Sequence, residues 1–437
     1  MIQLQKVFIN MSTGDDMKRT GIVILALMLA SFALSGCMAK EQYVKIDQKN
    51  FPDVHLYNTV LSFDSDQDSK LSRSEIENAT SITLGWVKDF TGLDLFTNLE
   101  TIYIRECENI KCDYKLFTNL KTLSINGTCE SKLIDLSGNT KLEIFYIDSQ
   151  NLEELVLPKG APLKDIMIEN TLLKSIDLNS YKGLTRIELN GNELIEELSF
   201  RDFPELTKLT CSTNTKLNSL NVSNCPKLNF LECNSNDLTD LNISGCENIA
   251  EFSCWKNKSL TSLDLSAFPK LTYLNCCDND IAELEIIHCP ELTTLYCVRN
   301  RLKSLDLKST PKLTTLTCGG NPFKELDVSC IPDLESLSCY DCELTSLNIT
   351  GCSKLHQIIC QDNKLTSLDL TGCPELHGLY CTGNNLTSLD FSRCPGMVEL
   401  INTTTPTESK DGKSFFYYDG GAHGLDVDKE VELVKSN

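Results

Sequence analysis

A run of acidic and hydroxyl side chains between Asp64 and Glu75 has the spacing of a cation-binding loop. Carboxylates stand at its first, third, fifth and twelfth positions, Lys70 offers its backbone carbonyl at the seventh, and Ser72 stands at the ninth. A hard cation such as Ca2+ needs several oxygen atoms that converge from one short turn. The spacing therefore predicts a structural calcium site with the ligands Asp64, Asp66, Asp68, Lys70, Ser72 and Glu75.

The sixth position of this loop departs from the usual pattern. Glycine normally stands there because the chain turns with a positive φ, whereas this chain has Ser69. A serine costs about 1 kcal/mol in that conformation, so we expect weak binding, in the range of about 0.1 to 1 mM that extracellular modules use. The alternative interpretation is an acidic turn that caps a helix beginning near Ser72 to Glu75.

Cysteine is the other residue type that could do chemistry, and the chain has 22 of them. Nine recur at one position of a repeat where other copies have isoleucine or leucine, which is typical of a small buried hydrophobe. We therefore expect mostly free thiols, with Cys225–Cys246 and Cys352–Cys373 as the pairs best placed for a disulfide. Cys339 and Cys342 are closely spaced, but no second pair of matching spacing completes a zinc site.

Catalysis is not indicated by the residue types or by their spacing. The five histidines form no Ser/His/Asp or Cys/His arrangement that a recognisable motif would place. The sequence therefore predicts a protein that is not an enzyme. The histidines are His55, His288, His356, His377 and His423.

A repeat of 21 or 22 residues, running from Leu99 to about Asn384, positions most of the cysteines. The cleanest copies read Leu-Thr-x-Leu-x-Cys-x-x-Asn-x-Leu-Thr-Ser-Leu-Asp-Leu-Ser-x-Cys-Pro-x, with two nested LxxLxL segments. Neither segment can bury its apolar side alone, so neighbouring copies must stack to form a core. One position, which we call the ladder position, recurs at Ile104, Ile125, Ile147, Ile168, Leu189, Cys211, Cys233, Cys254, Cys276, Cys297, Cys318, Cys339, Cys360 and Cys381.

This pattern resembles the leucine-rich repeat family, and the form LxxLxCxxNxLxxLDLS is similar to the bacterial IRREKO subclass. The resemblance implies an α/β repeat, a leucine-rich repeat solenoid whose short parallel strands line a concave face. At about 4.8 Å per stacked strand, such a sheet is roughly 65 Å long. The acidic loop ahead of the repeats is similar to an EF-hand loop, and this order resembles surface proteins of Bacteroidetes and Firmicutes. It implies a small helical calcium-loop cap before the solenoid.

An asparagine follows the ladder position by three residues in most copies of the repeat. We expect its amide to satisfy backbone groups at the turn and to pair with the asparagine of the next coil, because the irregular backbone is buried there. Cys107, Thr128, Gln150, Thr171 and Cys342 replace it in five coils. Cysteine is a weak hydrogen-bonding group, so we expect local irregularities at Cys107 and Cys342.

The residues that flank the inward strand positions are expected to face the concave side. They include the candidate partner-binding aromatics Phe230, Trp255, Tyr273, Tyr296, Tyr340 and Tyr380. Tyr103 and Tyr146 share these positions, interleaved with charged residues such as Arg186, Glu188 and Lys208. Exposed aromatic side chains on a preformed surface indicate a protein or glycan contact. The alternative is that strands favour aromatic residues for packing across neighbouring strands.

The N-terminal segment has the layout of a secretory signal. Lys18 and Arg19 precede an apolar run, which ends in Leu34-Ser35-Gly36-Cys37 and resembles the lipobox of bacterial lipoproteins. The resemblance implies lipid attachment at Cys37, and Met38 in place of aspartate after it favours the outer membrane, with surface exposure. The alternative is an uncleaved membrane anchor. Met17 is a more natural start than Met1, so the residues before it are a candidate misassigned extension.

The overall charge excludes some partners and leaves others open. With 40 Lys and Arg against 61 Asp and Glu, the net charge of −21 repels nucleic acid and anionic lipid.

We divide the chain into a signal peptide 1–36, a lipid anchor and tether 37–50, a helical N-terminal cap 51–90, the solenoid 91–402 and a C-terminal cap or tail 403–437. Any membrane contact is then through the lipid anchor alone.

The sequence predicts a non-catalytic cell-surface lipoprotein whose concave face binds a protein partner, in adhesion or in contact with a host. This role comes from the family resemblance. Two alternatives stay open: an accessory glycan-binding surface lipoprotein, in which Trp255 and Tyr296 stack on sugars, and a purely architectural envelope protein.

Overall fold

The computed structural model describes residues 43–129, 132–410, 414–418 and 424–435. Its N-terminal part begins with β1 (Val44–Lys45), α1 (Val54–Val60) and a 3-10 helix (Leu61–Phe63). β2 (Lys70–Leu71) then pairs antiparallel with β1, and α2 (Arg73–Asn78) follows. The signal peptide and Cys37 lie outside the described residues.

One long parallel sheet runs through the repeats, because each coil of 21 or 22 residues returns the chain beside the preceding strand. The inward residue of each strand is Leu, Ile or Phe, so the sheet has one apolar face, which is buried. The strands are β3 (Ser81–Gly85), β4 (Thr101–Ile110), β5 (Thr122–Cys129), β7 (Ile144–Asp148), β9 (Asp165–Glu169), β10 (Arg186–Glu188), β12 (Lys208–Thr210), β14 (Phe230–Glu232), β16 (Glu251–Ser253), β17 (Tyr273–Asn275), β18 (Thr294–Tyr296), β19 (Thr315–Thr317), β21 (Ser336–Ser338), β23 (Gln357–Ile359) and β24 (Gly378–Tyr380).

The second LxxLxL segment of the repeat forms strands of three residues on the opposite side of the coils. They pair as β6 (Leu133–Asp135) with β8 (Glu154–Val156), as β11 (Glu197–Ser199), β13 (Ser219–Asn221) and β15 (Asp240–Asn242), and as β20 (Glu325–Asp327) with β22 (Ser346–Asn348). Between residues 99 and 384, the described part of the chain has no α-helix. The expected α/β repeat is therefore a β-solenoid with few helices: the α-helices lie outside the repeats, and short 3-10 helices occur at Leu93–Leu95 and Tyr114–Leu116.

The C-terminal residues continue both sheets. After β25 (Ser388–Asp390) come α3 (Pro395–Thr403), β26 (Thr407–Glu408), β27 (Ser414–Tyr418), β28 (Gly424–Asp428) and β29 (Glu432–Val434). β28 pairs parallel with β24 and antiparallel with β27, while β29 pairs with β25. Strand edges that would otherwise be open are covered in this way. Within the described residues, no helix combines the length and the apolar character needed to cross a bilayer.

The residue at the ladder position is buried in all fourteen coils, and its exposed fraction is at most 1%. The prediction that the cysteines of the repeat fill the interior is therefore confirmed. The cysteines whose side chains are described carry free thiols, and these include Cys225, Cys246, Cys352 and Cys373. Mostly free thiols are expected from the sequence, and the two pairs best placed for a disulfide are free as well. The Cys246 thiol donates to the Val222 carbonyl at 2.9 Å, and the Cys352 thiol donates to the Val328 carbonyl at 3.3 Å.

The asparagines after the ladder position join each coil to the next. The Asn236 amide donates to the carbonyl of Cys233 in its own coil at 2.8 Å and to that of Cys211 in the preceding coil at 2.9 Å. Its oxygen accepts the backbone N–H of Asn214 at 2.8 Å. The same contacts recur along the coils, as when Asn214 accepts the backbone N–H of Asn192 at 2.7 Å. These bonds confirm the expected role of the asparagines in satisfying buried backbone groups.

The coils without this asparagine differ in two ways. The Cys107 thiol donates to the Arg105 carbonyl at 3.3 Å, and the pairing of β4 with β5 shifts register there. Cys342 donates to the Tyr340 carbonyl at 3.3 Å and to the Cys318 carbonyl at 3.5 Å. The cysteine thiol thus donates to backbone carbonyls of the turn, as the asparagine amide does, but over longer distances.

Candidate partner-binding face

The long sheet presents three outward positions per strand, two beside the central inward residue and one after the ladder position. We call the surface formed by these positions from β3 to β24 the open face. It corresponds to the side that the sequence predicts as concave. Residues at the same position of successive strands are direct neighbours, because the strands pair in register.

The open face is charged around β9 to β12. Arg186 lies 3.0 Å from the Asp165 carboxylate, and Tyr146 donates to the same carboxylate at 2.7 Å. Lys208 pairs with Glu188 at 2.8 Å. Burial and the hydrogen bond to Asp165 raise the pKa of Tyr146 to about 12. This region is a network of mutually satisfied groups, which leaves few free charges for a ligand.

The next coils bring three of the predicted aromatic residues around one cavity. Phe230, Trp255 and Tyr273 come from β14, β16 and β17 or the residues that follow them, and they line a cavity of about 260 Å³. Ser253 lies at the centre of this arrangement, where its small side chain leaves space between the larger ones. All three aromatic residues are half-buried. Tyr296 lies one coil further on and packs edge-to-face on Tyr273, with ring centroids 5.8 Å apart.

Hydrogen bonds beneath the rings fix the shape of this cavity. The side-chain oxygen of Asn234 accepts the Ser253 hydroxyl at 2.7 Å and the backbone N–H of Trp255 at 3.0 Å. Two carboxylates complete the lining: Glu232, which accepts the Ser212 hydroxyl at 3.1 Å, and the exposed Glu251, which lies between Phe230 and Tyr273 along the sheet.

The remaining coils form an uncharged strip of the open face. From β18 to β24, the outward positions are Thr294, Tyr296, Val298, Thr315, Thr317, Gly319, Ser336, Ser338, Tyr340, Gln357, Ile359, Gln361, Gly378, Tyr380 and Thr382. The Tyr340 ring packs against the preceding coil at Gly319, which has no side chain. A Cβ at Gly319 would be 2.7 Å from two carbons of the ring. Tyr340 and Tyr380 are thus on the predicted face but away from the cavity.

The acidic loop assembles part of the predicted metal site. Carboxylate oxygens of Asp64, Asp66 and Asp68 lie within 4.8 Å of one another. Ser69 has a φ of +64°, the conformation in which glycine is usual. The Lys70 ammonium bonds the Asp68 carboxylate at 2.9 Å.

Two other predicted ligands of this loop are engaged elsewhere. Glu75 and Ser72 form a capping box at the start of α2. Glu75 accepts hydrogen bonds from the Ser65 hydroxyl and from the backbone N–H groups of Ser72 and Ser65, and these bonds lower its pKa to about 2. The helix-capping interpretation of this segment is therefore present in the structure.

Buried ladder cysteines are poor nucleophiles in this structure. Burial raises the pKa of the Cys254 and Cys360 thiols to about 12, so they are protonated at neutral pH. His356 and His377 occupy the same position of successive coils, 21 residues apart, and their rings stack with centroids 5.4 Å apart. His423 lies outside the described residues.

Sequence reasoning found the aromatic residues but not the way in which they are grouped. It did not identify Ser253 as the centre of a cavity or Asn234 as the residue that holds Trp255. The signal was available in the 21- and 22-residue spacing, which places a serine between two aromatic coils. The packing of the Tyr340 ring against Gly319 was likewise not predicted.

Stacked parallel strands with inward leucines, and an asparagine at the turn of most coils, form a solenoid that fits the leucine-rich repeat fold. Solved structures share this fold. The functional domain of InlJ from Listeria monocytogenes, which includes a cysteine ladder, aligns with a TM-score of 0.71 and 22% identity over 90% of this chain and 100% of that one. YopM from Yersinia enterocolitica aligns with a TM-score of 0.55 and 21% identity, over 76% of this chain and 78% of that one.

A leucine-rich repeat protein from Leptospira interrogans aligns with a TM-score of 0.51 and 17% identity, over 72% of this chain and 91% of that one. No protein-family model matches the chain. No curated protein matches it either. At these identities the likeness to solved structures concerns the fold.

Proposed function

We propose that this chain is a non-catalytic binding protein whose open face takes a protein partner. The observation that carries the proposal is the aromatic cavity formed by Phe230, Trp255 and Tyr273. Half-exposed aromatic side chains on a rigid sheet provide contact area at little entropic cost, since the strands already hold them in place. The protonated, buried thiols support a scaffold role for the cysteines.

The proposal is tested by capture of extracellular proteins on the immobilised chain. We expect the triple variant Phe230→Ala, Trp255→Ala and Tyr273→Ala to lose the captured protein. A matched control replaces three exposed apolar residues away from the open face, Leu133, Val156 and Ile287, with alanine. Equal capture by the wild type and both variants would contradict a binding role for the cavity and would favour an architectural one.

We also propose that the chain is a surface lipoprotein, anchored at Cys37 in the outer membrane. The Leu34-Ser35-Gly36-Cys37 sequence supports this assignment. We expect the wild type to incorporate labelled fatty acid and Cys37→Ser to lose the label. Protease treatment of intact cells tests surface exposure, because a surface-displayed chain is cleaved without cell lysis.

Structural calcium at the acidic loop is a further part of the proposal. The clustered oxygens of Asp64, Asp66 and Asp68 and the positive φ of Ser69 support it. Glu75 is hydrogen-bonded to Ser65 and Ser72. When calcium binds, Glu75 must therefore either leave its capping box or not serve as a ligand. Calorimetric titration of the chain with Ca2+ should give a Kd of about 0.1 to 1 mM. The variant Asp64→Asn with Asp66→Asn should lose this binding, while no heat from the wild type would exclude the site.

A neutral glycan is the second candidate ligand, and the uncharged strip from β18 to β24 favours it. Sugar rings present apolar C–H faces and hydroxyl groups, which match an exposed tyrosine surrounded by Thr, Ser and Gln side chains. We expect a neutral polysaccharide in a native gel to retard the wild type and to retard Tyr296→Ala with Tyr340→Ala less. Unchanged mobility of both proteins would argue against this candidate.

A further inference from the structure

We infer that the aromatic cavity of the open face is a site for a lysine or arginine side chain of the protein partner. This inference rests on the proposed function and names the chemistry of the partner at one point of contact. It follows from the residues that line the cavity, from their pairing and from the charge of the chain.

The cavity combines ring faces with carboxylates. Phe230, Glu251 and Tyr273 are direct neighbours across β14, β16 and β17, so the Glu251 carboxylate lies between two aromatic side chains. Trp255 and Glu232 stand on further sides of the same cavity. Ring faces attract cations through the ring quadrupole, and the attraction grows when the cation is removed from water.

The two carboxylates distinguish a cation from other occupants. Among the described residues, the Glu251 carboxylate makes no ion pair or hydrogen bond, and the Glu232 carboxylate accepts a hydrogen bond from the Ser212 hydroxyl but has no cationic partner. An apolar side chain or a neutral sugar would cover these charges and leave them without compensation, which is unfavourable. An acidic side chain would be repelled. A lysine or arginine satisfies the rings and the carboxylates together.

Lysines of the chain itself already lie near two of these rings. The Lys208 ammonium lies 5.3 Å from the Phe230 ring centroid, and that of Lys256 lies 5.9 Å from the Trp255 ring. Neither lysine lines the cavity. The net charge of −21 further favours the approach of a basic surface.

The fluorescence of Trp255 provides a direct test. The chain has two tryptophans, so Trp86→Phe leaves Trp255 as the only one. The purified chain with this change is titrated with an acetylated, amidated hexapeptide of alternating glycine and lysine, and with the same peptide carrying glutamine or glutamate in place of lysine. We expect a saturable change of emission with the lysine peptide and at least tenfold weaker binding of the other two.

A matched pair of charge variants separates the cavity from general attraction. Glu232→Gln with Glu251→Gln should weaken binding of the lysine peptide at least tenfold. Glu283→Gln with Glu285→Gln removes the same charge at exposed positions outside the cavity and should change it less than twofold. Equal weakening by both pairs, or equal binding of the lysine and glutamine peptides, would overturn the inference.

The binding function of the open face and the cation site in its cavity can be contradicted separately. Loss of protein capture in the triple alanine variant, together with no preference for the lysine peptide, would retain the binding function and remove the cation site. Undiminished capture by that variant would remove the proposed function, whatever the peptides do.

Discussion

The coils before and after Leu189 solve the same packing problem in different ways. Both halves fill the ladder position with a buried residue, isoleucine or leucine in the first and cysteine in the second. The first half has the longer strands, with ten residues in β4, eight in β5 and five in β7 and β9. The strands of the long sheet in the second half have three residues each, and asparagines link successive coils.

This difference shows two ways to satisfy buried backbone at a turn. A longer strand continues backbone pairing past the ladder position, whereas an asparagine amide replaces that pairing with side-chain bonds. The open face differs along the same direction. Charged groups pair with one another around Arg186. Aromatic rings and the carboxylates of Glu232 and Glu251 surround Ser253, and neutral residues follow from Thr294 onwards.

The largest effect is expected from removing an asparagine of the second half. Asn236→Leu leaves the carbonyls of Cys211 and Cys233 and the N–H of Asn214 without this partner. We expect a loss of about 2–4 kcal/mol in the free energy of unfolding, measured with guanidinium chloride.

The control for this prediction comes from the other half. Thr171→Val removes a hydroxyl that donates to Asn192 at 2.6 Å and accepts the backbone N–H of Leu173 at 3.3 Å, while the backbone N–H of residue 171 keeps its bond to the same Asn192 oxygen. We expect it to cost about 1 kcal/mol. If both variants lost the same stability, the asparagines would not be the main links between coils.

A smaller effect is expected from changing the polarity of a ladder cysteine. Cys254→Ser places a hydroxyl in the interior and should cost about 1–3 kcal/mol. Cys254→Val keeps an apolar side chain and should cost less, below about 1.5 kcal/mol. Thermal or denaturant unfolding followed by circular dichroism gives the order of the two. The reverse order would mean that the thiol position is polar.

The smallest effect is expected on the charged part of the open face. Arg186→Met removes the ion pairs with Asp165 and Glu188 but keeps much of the side-chain packing, so we expect a loss of about 0.5–1 kcal/mol that diminishes in high salt. Lys312→Met removes a more exposed pair with Glu291 and should cost less than about 0.5 kcal/mol. A salt-independent loss at Arg186 would indicate that packing, not charge, accounts for its contribution.

The repeat could be predicted from the sequence because its chemistry is periodic. The burial of Cys233 and the bonds of Asn236 follow from a spacing that one chain shows many times. Features that depend on single residues could not be predicted in this way. Glu75 had two partners available, a cation and the capping box of Ser72, and the sequence pattern is the same for both.

Other unpredicted features depend on contacts between coils. An irregularity is expected at Cys107, but its form, a register shift within the long β4 and β5, depends on the local backbone. The position of Tyr340 depends on the absence of a side chain at Gly319 in the preceding coil. Such pairs become visible only when the register of neighbouring strands is known.

Alkylation of the thiols under native conditions tests the central claim, that the coils stack in register around an interior lined by the ladder position. The native chain is treated with N-ethylmaleimide, and each cysteine is then read out by mass spectrometry. Cys233, Cys254 and Cys297 should stay unmodified between pH 7 and 9, while the partly exposed Cys277 and Cys330 should react, and all should react in denaturant. Rapid native modification of Cys233, Cys254 and Cys297 would contradict the stacked interior.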